Sequence, residues 1–214
     1  MKEVSFKDFD ILSEQDKSEA LALLHRYDQI DKQDSCQKDF ISFVKHLWPE
    51  FIEGRHHKII GDKFNKIAQG KLKRLIVCLP PRHSKSEFAS TYFPAWMMGK
   101  RGDLKIIQTT HTAELAVRFG RKVRNIIDSE EYQHIFPELK LQADNKSAGR
   151  WTTNQEGESF YAGVGGAITG RGADLLIIDD PHSEQDALSP KSLESAYEWY
   201  TSGPRQRLQP GGII

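Results

Sequence analysis

The chain is organised around one stretch, Leu75-Ile76-Val77-Cys78-Leu79-Pro80-Pro81-Arg82-His83-Ser84-Lys85-Ser86-Glu87. A short apolar run meets two prolines and a basic loop, and a helix-compatible segment follows. We interpret the stretch as a strand, a phosphate-binding loop and the start of a helix. Backbone N–H groups and the helix dipole favour an anion at such a helix start. Lys85 is then predicted to reach the β- and γ-phosphates of a nucleotide, and Ser86 to bind the Mg²⁺ that bridges them.

The loop departs from the generic phosphate-binding pattern. The pattern G-x-x-x-x-G-K-[ST] requires glycine at two positions that are Leu79 and Ser84 in this chain. A Lys-Ser pair after a strand also fits an ordinary helix start in which the serine is a cap. On the loop alone, both interpretations stay open.

A second apolar run ends in two acids: Leu175-Leu176-Ile177-Ile178-Asp179-Asp180-Pro181. An all-apolar strand is typical of a parallel sheet that is buried on both faces. Open α/β sheets bind ligands at the carboxyl ends of such strands. Asp179 is therefore predicted to hold the Mg²⁺ shell, and Asp180 to orient or deprotonate the attacking water. Asp-Asp-Pro also favours a simple turn, but its occurrence together with the lysine loop favours the functional interpretation.

Three spaced motifs resemble the terminase large subunits of tailed phages, the motors that package DNA into capsids. The segment 80–87 resembles their deviant Walker A motif, 174–181 resembles their Walker B motif, and the glycine-rich segment 165–173 resembles the stretch between them. The resemblance extends from about Phe40 to the end of the chain. It implies an α/β fold of the P-loop NTPase class (RecA-like, ASCE), with a mostly parallel sheet flanked by helices and an N-terminal helical appendage.

The resemblance also implies site residues, with ATP and Mg²⁺ as cofactors. The nucleotide-binding loop comprises Pro81, Arg82, His83, Ser84, Lys85, Ser86 and Glu87. Arg82 adds positive charge over the phosphates. Lys85 and Asp180 are the catalytic candidates, and Ser86 and Asp179 are the metal ligands. The family more often has glutamate where this chain has Asp180, which is one methylene shorter.

The resemblance implies three further candidates. In terminase ATPases, the segment before the first strand contacts the adenine, and a residue of the neighbouring subunit completes each ATP site. His57 is the candidate for the base pocket, although a surface histidine pair explains it equally well. Arg121, and after it Arg118, are candidates for an arginine finger that reaches a neighbouring subunit's ATP. Arg118, Arg121 and Lys122 share one helix face, so a solvated basic face or a contact with the phosphate backbone of DNA are alternatives.

Composition sets limits on the protein class. Lys plus Arg and Asp plus Glu number 30 each, so net charge gives no sign of a broad nucleic-acid footprint. No apolar run approaches a membrane span and no signal peptide begins the chain, so we expect no membrane. Cys78 is predicted to be a small buried hydrophobe, and no cysteine spacing suggests zinc. Cysteine usage fits a reducing cytoplasm, which the resemblance places in a bacterial host of a phage or prophage.

The remaining pattern predicts the elements around the two motifs. The helix from Lys85 is expected to kink at Pro94, and the residues between 136 and 150 are read as a polar linker. The apolar spacing predicts further helices over about 13–27, 35–49, 54–69, 112–128 and 192–201, strands over 104–110 and 205–214, and a hairpin of 151–153 with 159–163.

We divide the chain into an N-terminal helical segment, 1–50, and a P-loop ATPase domain, 51–214. By the resemblance, the chain ends before the motif that couples hydrolysis to movement and before the nuclease domain, so we expect no nuclease activity from it. The implied partners are double-stranded DNA, the terminase small subunit and the portal protein, with a homo-oligomeric ring in the full-length protein.

The predicted function is therefore ATP hydrolysis that drives double-stranded DNA into a capsid. Two alternatives belong to other classes. One is a helicase-like or repair ATPase that depends on DNA and uses the same core. The other is a truncated, inactive remnant that only binds nucleotide or partners.

Overall fold

The computed structural model describes residues 13–214, apart from the side chains of residues 143–146. Residues 1–12 of the predicted N-terminal segment lie outside the described residues. The described chain is an α/β fold in which helices flank a six-stranded, mostly parallel sheet. This architecture confirms the predicted α/β class, with a mostly parallel sheet flanked by helices.

The helices at the start of the chain are followed by one strand, two more helices, four consecutive strands, a last helix and a last strand. The helices are α1 (Glu14–Lys38), α2 (Phe40–Leu47), α3 (Arg55–Ala68), the single turn α4 (Lys85–Glu87), a π-helical turn (Phe88–Tyr92), α5 (Phe93–Lys100), α6 (Ala113–Ile127), α7 (Glu130–Ile135) and α8 (Pro190–Ser202). The strands are β1 (Lys105–Thr110), β2 (Leu141–Ser147), β3 (Arg150–Thr153), β4 (Glu158–Gly163), β5 (Ala173–Ile178) and β6 (Leu208–Ile213). Short 3₁₀ turns cover Asp186–Leu188 and Pro204–Arg207.

The sheet has the spatial order β2-β3-β4-β1-β5-β6. Strand β1 pairs in parallel with β4 on one side and β5 on the other, and β6 continues the parallel part beside β5. Strands β2, β3 and β4 form an antiparallel meander at the opposite edge. Because β1, β4 and β5 run in the same direction, their carboxyl ends meet at one edge of the sheet, where Asp179 follows β5.

The run from Leu75 to Leu79 is not a strand of the sheet, contrary to the prediction. The Leu75 N–H donates to the carbonyl of Ile214 at 2.9 Å, and the Ile214 N–H donates to that of Lys73 at 3.0 Å. Residues 76–80 form no backbone hydrogen bond within the described chain. Ile76 is 89% exposed, and Cys78 is exposed instead of being the buried hydrophobe that we predicted. Only the start of this apolar run meets a partner strand.

The first helix begins as predicted but ends later. Ser13 is its N-cap, and the Ser13 Oγ accepts from the Asp16 N–H at 3.2 Å. The helix continues to Lys38 instead of ending near Tyr27. Cys36 in its last turns is buried, whereas Tyr27 is 68% exposed. The C-terminal end of α1 thus belongs to the core, and its earlier turns extend along the surface.

The core joins the N-terminal helices to the helix that follows the loop. The Phe40 ring packs edge-on against Phe64 and Phe88, with ring centroids 4.9 and 5.3 Å away. The fully buried Trp96 donates its indole N–H to the Cys36 carbonyl at 2.8 Å. Burial of such large aromatic side chains is a main favourable term in folding. Within residues 13–214, no helix has the length and apolarity to cross a bilayer.

The helix after the loop is continuous but not uniform. It passes from α4 through the π-helical turn into α5, so Pro94 does not end it, as expected. Proline has no N–H and cannot donate to the carbonyl four residues earlier, which is that of Ser90. This carbonyl accepts from Gln108 Nε2 at 3.1 Å. The break in the α-helical pattern is therefore compensated from strand β1.

Two elements between α6 and β3 were not predicted: helix α7, and strand β2 in the region read as a linker. Helix α7 buries Tyr132 completely, and the Tyr132 hydroxyl donates to the Ala95 carbonyl at 2.8 Å. Strand β2 has a polar sequence and pairs only with β3, at the edge of the sheet. Polar edge strands lack the apolar alternation on which strand prediction depends.

Candidate phosphate-binding and metal site

The loop before α4 turns sharply with non-glycine residues. Arg82 and Ser84 both have left-handed backbones, with φ of 63° and 61°. The Ser84 carbonyl accepts the Phe88 N–H at 2.9 Å, which begins the helix. A left-handed backbone is costly for residues other than glycine and is concentrated at functional sites. The turn thus has the strained geometry for which the generic pattern uses glycine.

A cavity of about 590 Å³ lies in front of this turn. Among the residues predicted to bind nucleotide, it is lined by Pro81, Arg82, Ser84, Lys85, Ser86 and Glu87. Asp180, which follows β5, also lines it. His83 is not among its lining residues: the His83 Nδ1 lies 2.9 Å from the Pro81 carbonyl. The loop and the residues after β5 therefore line one concave surface.

Lys85 connects the two motifs. Its ammonium group forms an ion pair with Asp180 Oδ1 and lies 3.7 Å from Asp179 Oδ1. The pairing of β5 with β1 is extended by the Asp179 N–H, which donates to the Thr109 carbonyl at 2.9 Å. The sheet thus fixes the backbone of the first acid, and the loop helix brings the lysine to it. Residues far apart in sequence meet as the two motifs predict.

The two acids occupy different environments. The Asp179 side chain is only 7% exposed, and its Oδ2 accepts from Ser90 Oγ at 2.8 Å. The Asp180 side chain is 64% exposed, and its backbone is left-handed with φ of 42°. A buried, oriented carboxylate suits a fixed ligand role, and an exposed one beside the cavity suits proton transfer. The different roles of the two acids stay predictions.

Ser86 lines the loop cavity and Asp179 lines a neighbouring cavity, so these two residues would hold a Mg²⁺ ion together with phosphate oxygens of a substrate. Asp179 Oδ2 accepts a hydrogen bond from Ser90, and Asp179 Oδ1 lies near Lys85. The Ser86 hydroxyl lines the cavity and makes no hydrogen bond to another described residue. No group of three or more His, Cys, Asp or Glu side chains in residues 13–214 is arranged to hold a metal. One carboxylate, one hydroxyl, phosphate oxygens and waters are a usual Mg²⁺ set.

Glu87 is tied to helix α6 by an ion pair with Lys122. Of the three cationic residues on that face, Lys122 is therefore the one that reaches the loop. Arg118 and Arg121 are exposed, and neither side chain has an ion-pair partner among the described residues. Their exposed position on α6 does not distinguish between an arginine finger, a solvated basic face and a contact with the phosphate backbone of DNA.

His57 lies beside the loop region but does not line the loop cavity. It is 5% exposed and packs against Phe51 and Phe88 with ring centroids 4.8 and 4.9 Å away. The His57 Nδ1 accepts from the Gly54 N–H at 2.9 Å, which caps α3. Burial, and then the neighbouring His56, lower the pKa of His57. The structure assigns His57 a capping contact, and His56 lies between it and His83, 5.5 Å from the His83 ring.

A second cavity, of about 630 Å³, opens on the other side of Lys85 and the two acids. Its walls are mostly apolar, with Leu175 and Ile177 from β5 and Tyr197 and Tyr200 from α8. No residue of α8 is buried. The space lies between the sheet and a helix that packs loosely against it.

Sequence reasoning missed three residues that contact the site. Ser90 donates to Asp179, Gln108 donates to the Ser90 carbonyl, and Lys122 forms an ion pair with Glu87. One signal for Ser90 was present, since it lies four residues before Pro94 and has a carbonyl that proline leaves free. No sequence signal distinguishes Lys122 from the arginines on the same face.

No family model matches this chain, and no curated protein is similar enough to be counted as a relative.

Proposed function

We propose that this chain is an ATPase of the P-loop class and the motor part of a terminase large subunit, which hydrolyses ATP to move double-stranded DNA into a capsid. The observation that carries the proposal is the meeting of Lys85 with Asp179 and Asp180 beside the loop cavity. The motif resemblance supports the terminase assignment, and the geometry supports the nucleotide site.

The loop side of the cavity binds the phosphates. Lys85 and Arg82 supply positive charge, and the start of the helix at Ser84 supplies backbone N–H groups and the favourable end of the dipole. Ser86 and Asp179 would hold Mg²⁺, which would neutralise charge on the β- and γ-phosphates. This division of roles needs no residue outside the two motifs.

Asp180 is the proposed general base, and Lys85 controls it. The Lys85 ammonium group forms an ion pair with the Asp180 carboxylate. A γ-phosphate competes for Lys85 and frees this carboxylate to accept a proton from water. The water oxygen then bonds to the γ-phosphorus as the bond to the bridging oxygen breaks, and ADP leaves.

The remaining assignments are also proposals. Arg121, or Arg118, completes the site of a neighbouring subunit in a homo-oligomeric ring. The chain works with double-stranded DNA, the small subunit and the portal protein, in the cytoplasm of a bacterial host. The exposure of both arginines is compatible with a contact in trans.

The test is steady-state ATP hydrolysis by the purified chain, with and without double-stranded DNA. We expect Lys85→Ala to lower turnover by about 10²–10³-fold, the range for removal of one donor to a developing negative charge. The control is Lys66→Ala, because Lys66 is an exposed lysine paired with Asp62 on α3, away from the cavity. Asp180→Asn is expected to lower turnover but to retain binding of Mg·ATP.

Each outcome separates the alternatives. Stimulation by double-stranded DNA supports a packaging motor, and stimulation by single-stranded DNA alone favours a helicase-like ATPase. Binding of Mg·ATP that requires Lys85, without turnover, favours a remnant that only binds nucleotide. If Lys85→Ala changes neither binding nor turnover, the assignment of the loop is wrong.

A further inference from the structure

Ser90 occupies an unexpected place next to the proposed metal ligand. It is completely buried in the π-helical turn, one turn of helix beyond Ser86. The Ser90 Oγ donates to Asp179 Oδ2 at 2.8 Å. Neither phosphate binding nor proton transfer, as proposed above, uses this hydroxyl.

The carboxylate of Asp179 has two oxygens with different surroundings. Oδ2 is bonded to Ser90, inside the protein, while Oδ1 lies 3.7 Å from the Lys85 ammonium, toward the site. A single hydrogen bond to one oxygen fixes the rotation of a carboxylate about its own axis. Groups that orient metal ligands in this way often matter nearly as much as the ligands.

Ser90 is itself held in place by a chain of contacts. Pro94 cannot donate to the Ser90 carbonyl, and this carbonyl accepts from Gln108 Nε2 at 3.1 Å. Gln108 is completely buried in β1, which pairs with the strand that carries Asp179. Two buried hydrogen bonds therefore join the π-helical turn to β1 and to the residue after β5.

We propose that Ser90 is a positioning residue for the metal site: it turns the Asp179 carboxylate so that Oδ1 faces the position of the metal and Oδ2 is satisfied inside the protein. The inference rests on the proposed function, because it concerns the Mg²⁺ that accompanies the nucleotide. It adds a residue that the phosphate-loop and acid motifs do not contain.

The structure provides a matched pair of variants. Ser90→Ala and Thr91→Val each remove one buried hydroxyl from the same π-helical turn. The Thr91 Oγ1 has no hydrogen-bond partner among the described residues, whereas the Ser90 Oγ is bonded to Asp179. A general disturbance of the turn affects both variants, and loss of the carboxylate contact affects only Ser90→Ala.

The measurement is the affinity for ATP by calorimetry, with Mg²⁺ and in EDTA, together with Mn²⁺ binding to the nucleotide-free protein by electron paramagnetic resonance. We expect Ser90→Ala to reduce the gain in ATP affinity that Mg²⁺ produces, and the affinity for Mn²⁺, by about 10–100-fold. ATP binding in EDTA should not change. Thr91→Val should match the wild type in all three measurements.

Gln108→Met is a second variant that retains the Ser90 hydroxyl but removes the donor to its carbonyl. We expect a smaller loss of Mg²⁺ dependence in the same direction. Circular dichroism and the urea midpoint check that each variant is folded. If Ser90→Ala does not fold, the Gln108→Met result decides, and unchanged Mg²⁺ dependence there overturns the proposal.

The failure of this inference differs from the failure of the proposed function. If the wild type binds Mg·ATP and Ser90→Ala binds it equally well, the positioning role is wrong and the nucleotide site remains. Equal losses in Ser90→Ala and Thr91→Val also overturn the role, since they indicate a disturbed turn. If the wild type binds neither ATP nor Mn²⁺, both the proposed function and the inference are wrong.

Discussion

The two apolar runs that lead into the site have similar sequences and different structures. The run before the acids, β5, is held between β1 and β6. The run before the loop, residues 75–79, pairs with Ile214 only at its first residue and leaves Ile76 89% exposed. Apolar composition predicts that a segment is suited to burial, but a strand also needs a neighbour along its length.

The difference also appears at the ends of the runs. Strand β5 ends at two acids whose position follows from the register of the sheet. The run 75–79 ends in a turn with left-handed Arg82 and Ser84, and the position of Lys85 depends on that turn and on the helix after it. One half of the site is thus positioned by the sheet and the other by a strained loop. The predictions below test this contrast, beginning with the largest effect.

Thiol labelling compares the exposed run with the core. We expect Cys78 to react with a thiol reagent as fast as a peptide thiol, because it is exposed in the run 75–79. Cys36 is buried, and burial followed by the charge of Asp39 raises its pKa to about 11. At neutral pH this lowers the thiolate fraction of Cys36 by more than about a hundredfold relative to a free thiol. Stopped-flow kinetics on Cys36→Ala and Cys78→Ala resolve the two rates.

A slow rate for Cys78, close to that of Cys36, would contradict the expected exposure of Cys78. It would mean that the run 75–79 is covered in solution.

Truncation of isoleucine compares the two runs with the same side chain. Ile177→Ala in β5 removes a side chain that is 9% exposed, and we expect a loss of about 3 kcal/mol in the free energy of unfolding. Ile76→Ala removes one that is 89% exposed, and we expect a change within about 0.5 kcal/mol. Urea unfolding measures both. Similar losses in the two variants would show that Ile76 is buried.

Replacement of Ser84 by glycine tests the strain in the loop. Ser84 has φ of 61°, which glycine adopts without the steric cost of a side chain. That cost is about 1–2 kcal/mol, and the greater freedom of glycine in the unfolded chain offsets about 0.5–1 kcal/mol of it. We expect Ser84→Gly to stabilise the fold by about 0.5–1 kcal/mol in thermal unfolding. Destabilisation would contradict a left-handed Ser84.

The pH dependence of stability tests the histidines on the loop side. Burial, and then His56, lower the pKa of His57 in the folded protein, with a further lowering from His83 and an opposing effect of Glu53. The unfolded chain then binds more protons than the folded one below its own pKa of about 6.5, so stability falls as the pH falls through that range. We expect His57→Gln to reduce this slope between pH 7 and 5.

Urea midpoints at several pH values measure the effect. The matched control is His46→Gln, because His46 is an exposed histidine outside this cluster. An unchanged slope in His57→Gln would assign the pH dependence to other groups.

Much of the fold was predictable because its central elements carry strong apolar patterns. Strands β1 and β5 and helices α2, α3 and α6 lie close to their predicted positions. Strand β2 was missed because its sequence is polar and its stability comes from backbone pairing with β3. The strand predicted over 75–79 was wrong because composition does not report whether a partner strand is present.

The proximity of the candidate site residues was predictable, but the residues that hold them in place were not. The sequence pattern brought forward Lys85, Asp179 and Asp180, which the structure places together. Ser90 and Lys122 were missed because their roles depend on which residue faces them across the fold. His57 was expected near the base pocket, and the structure places it in a capping contact within an aromatic cluster.

The π-helical turn changes which side of the helix faces the core before and after it. Relative to a uniform α-helix, one extra residue in a turn rotates everything beyond it by about 100°. Ser90, inside the π-helical turn, donates to Asp179, while Trp96, beyond the turn, donates to the carbonyl of Cys36 in α1. One helix thus contacts both Asp179 and α1. Deletion of one residue from Phe88–Tyr92 would restore a uniform α-helix. That helix would keep only one of the two hydrogen bonds, to Asp179 or to the Cys36 carbonyl.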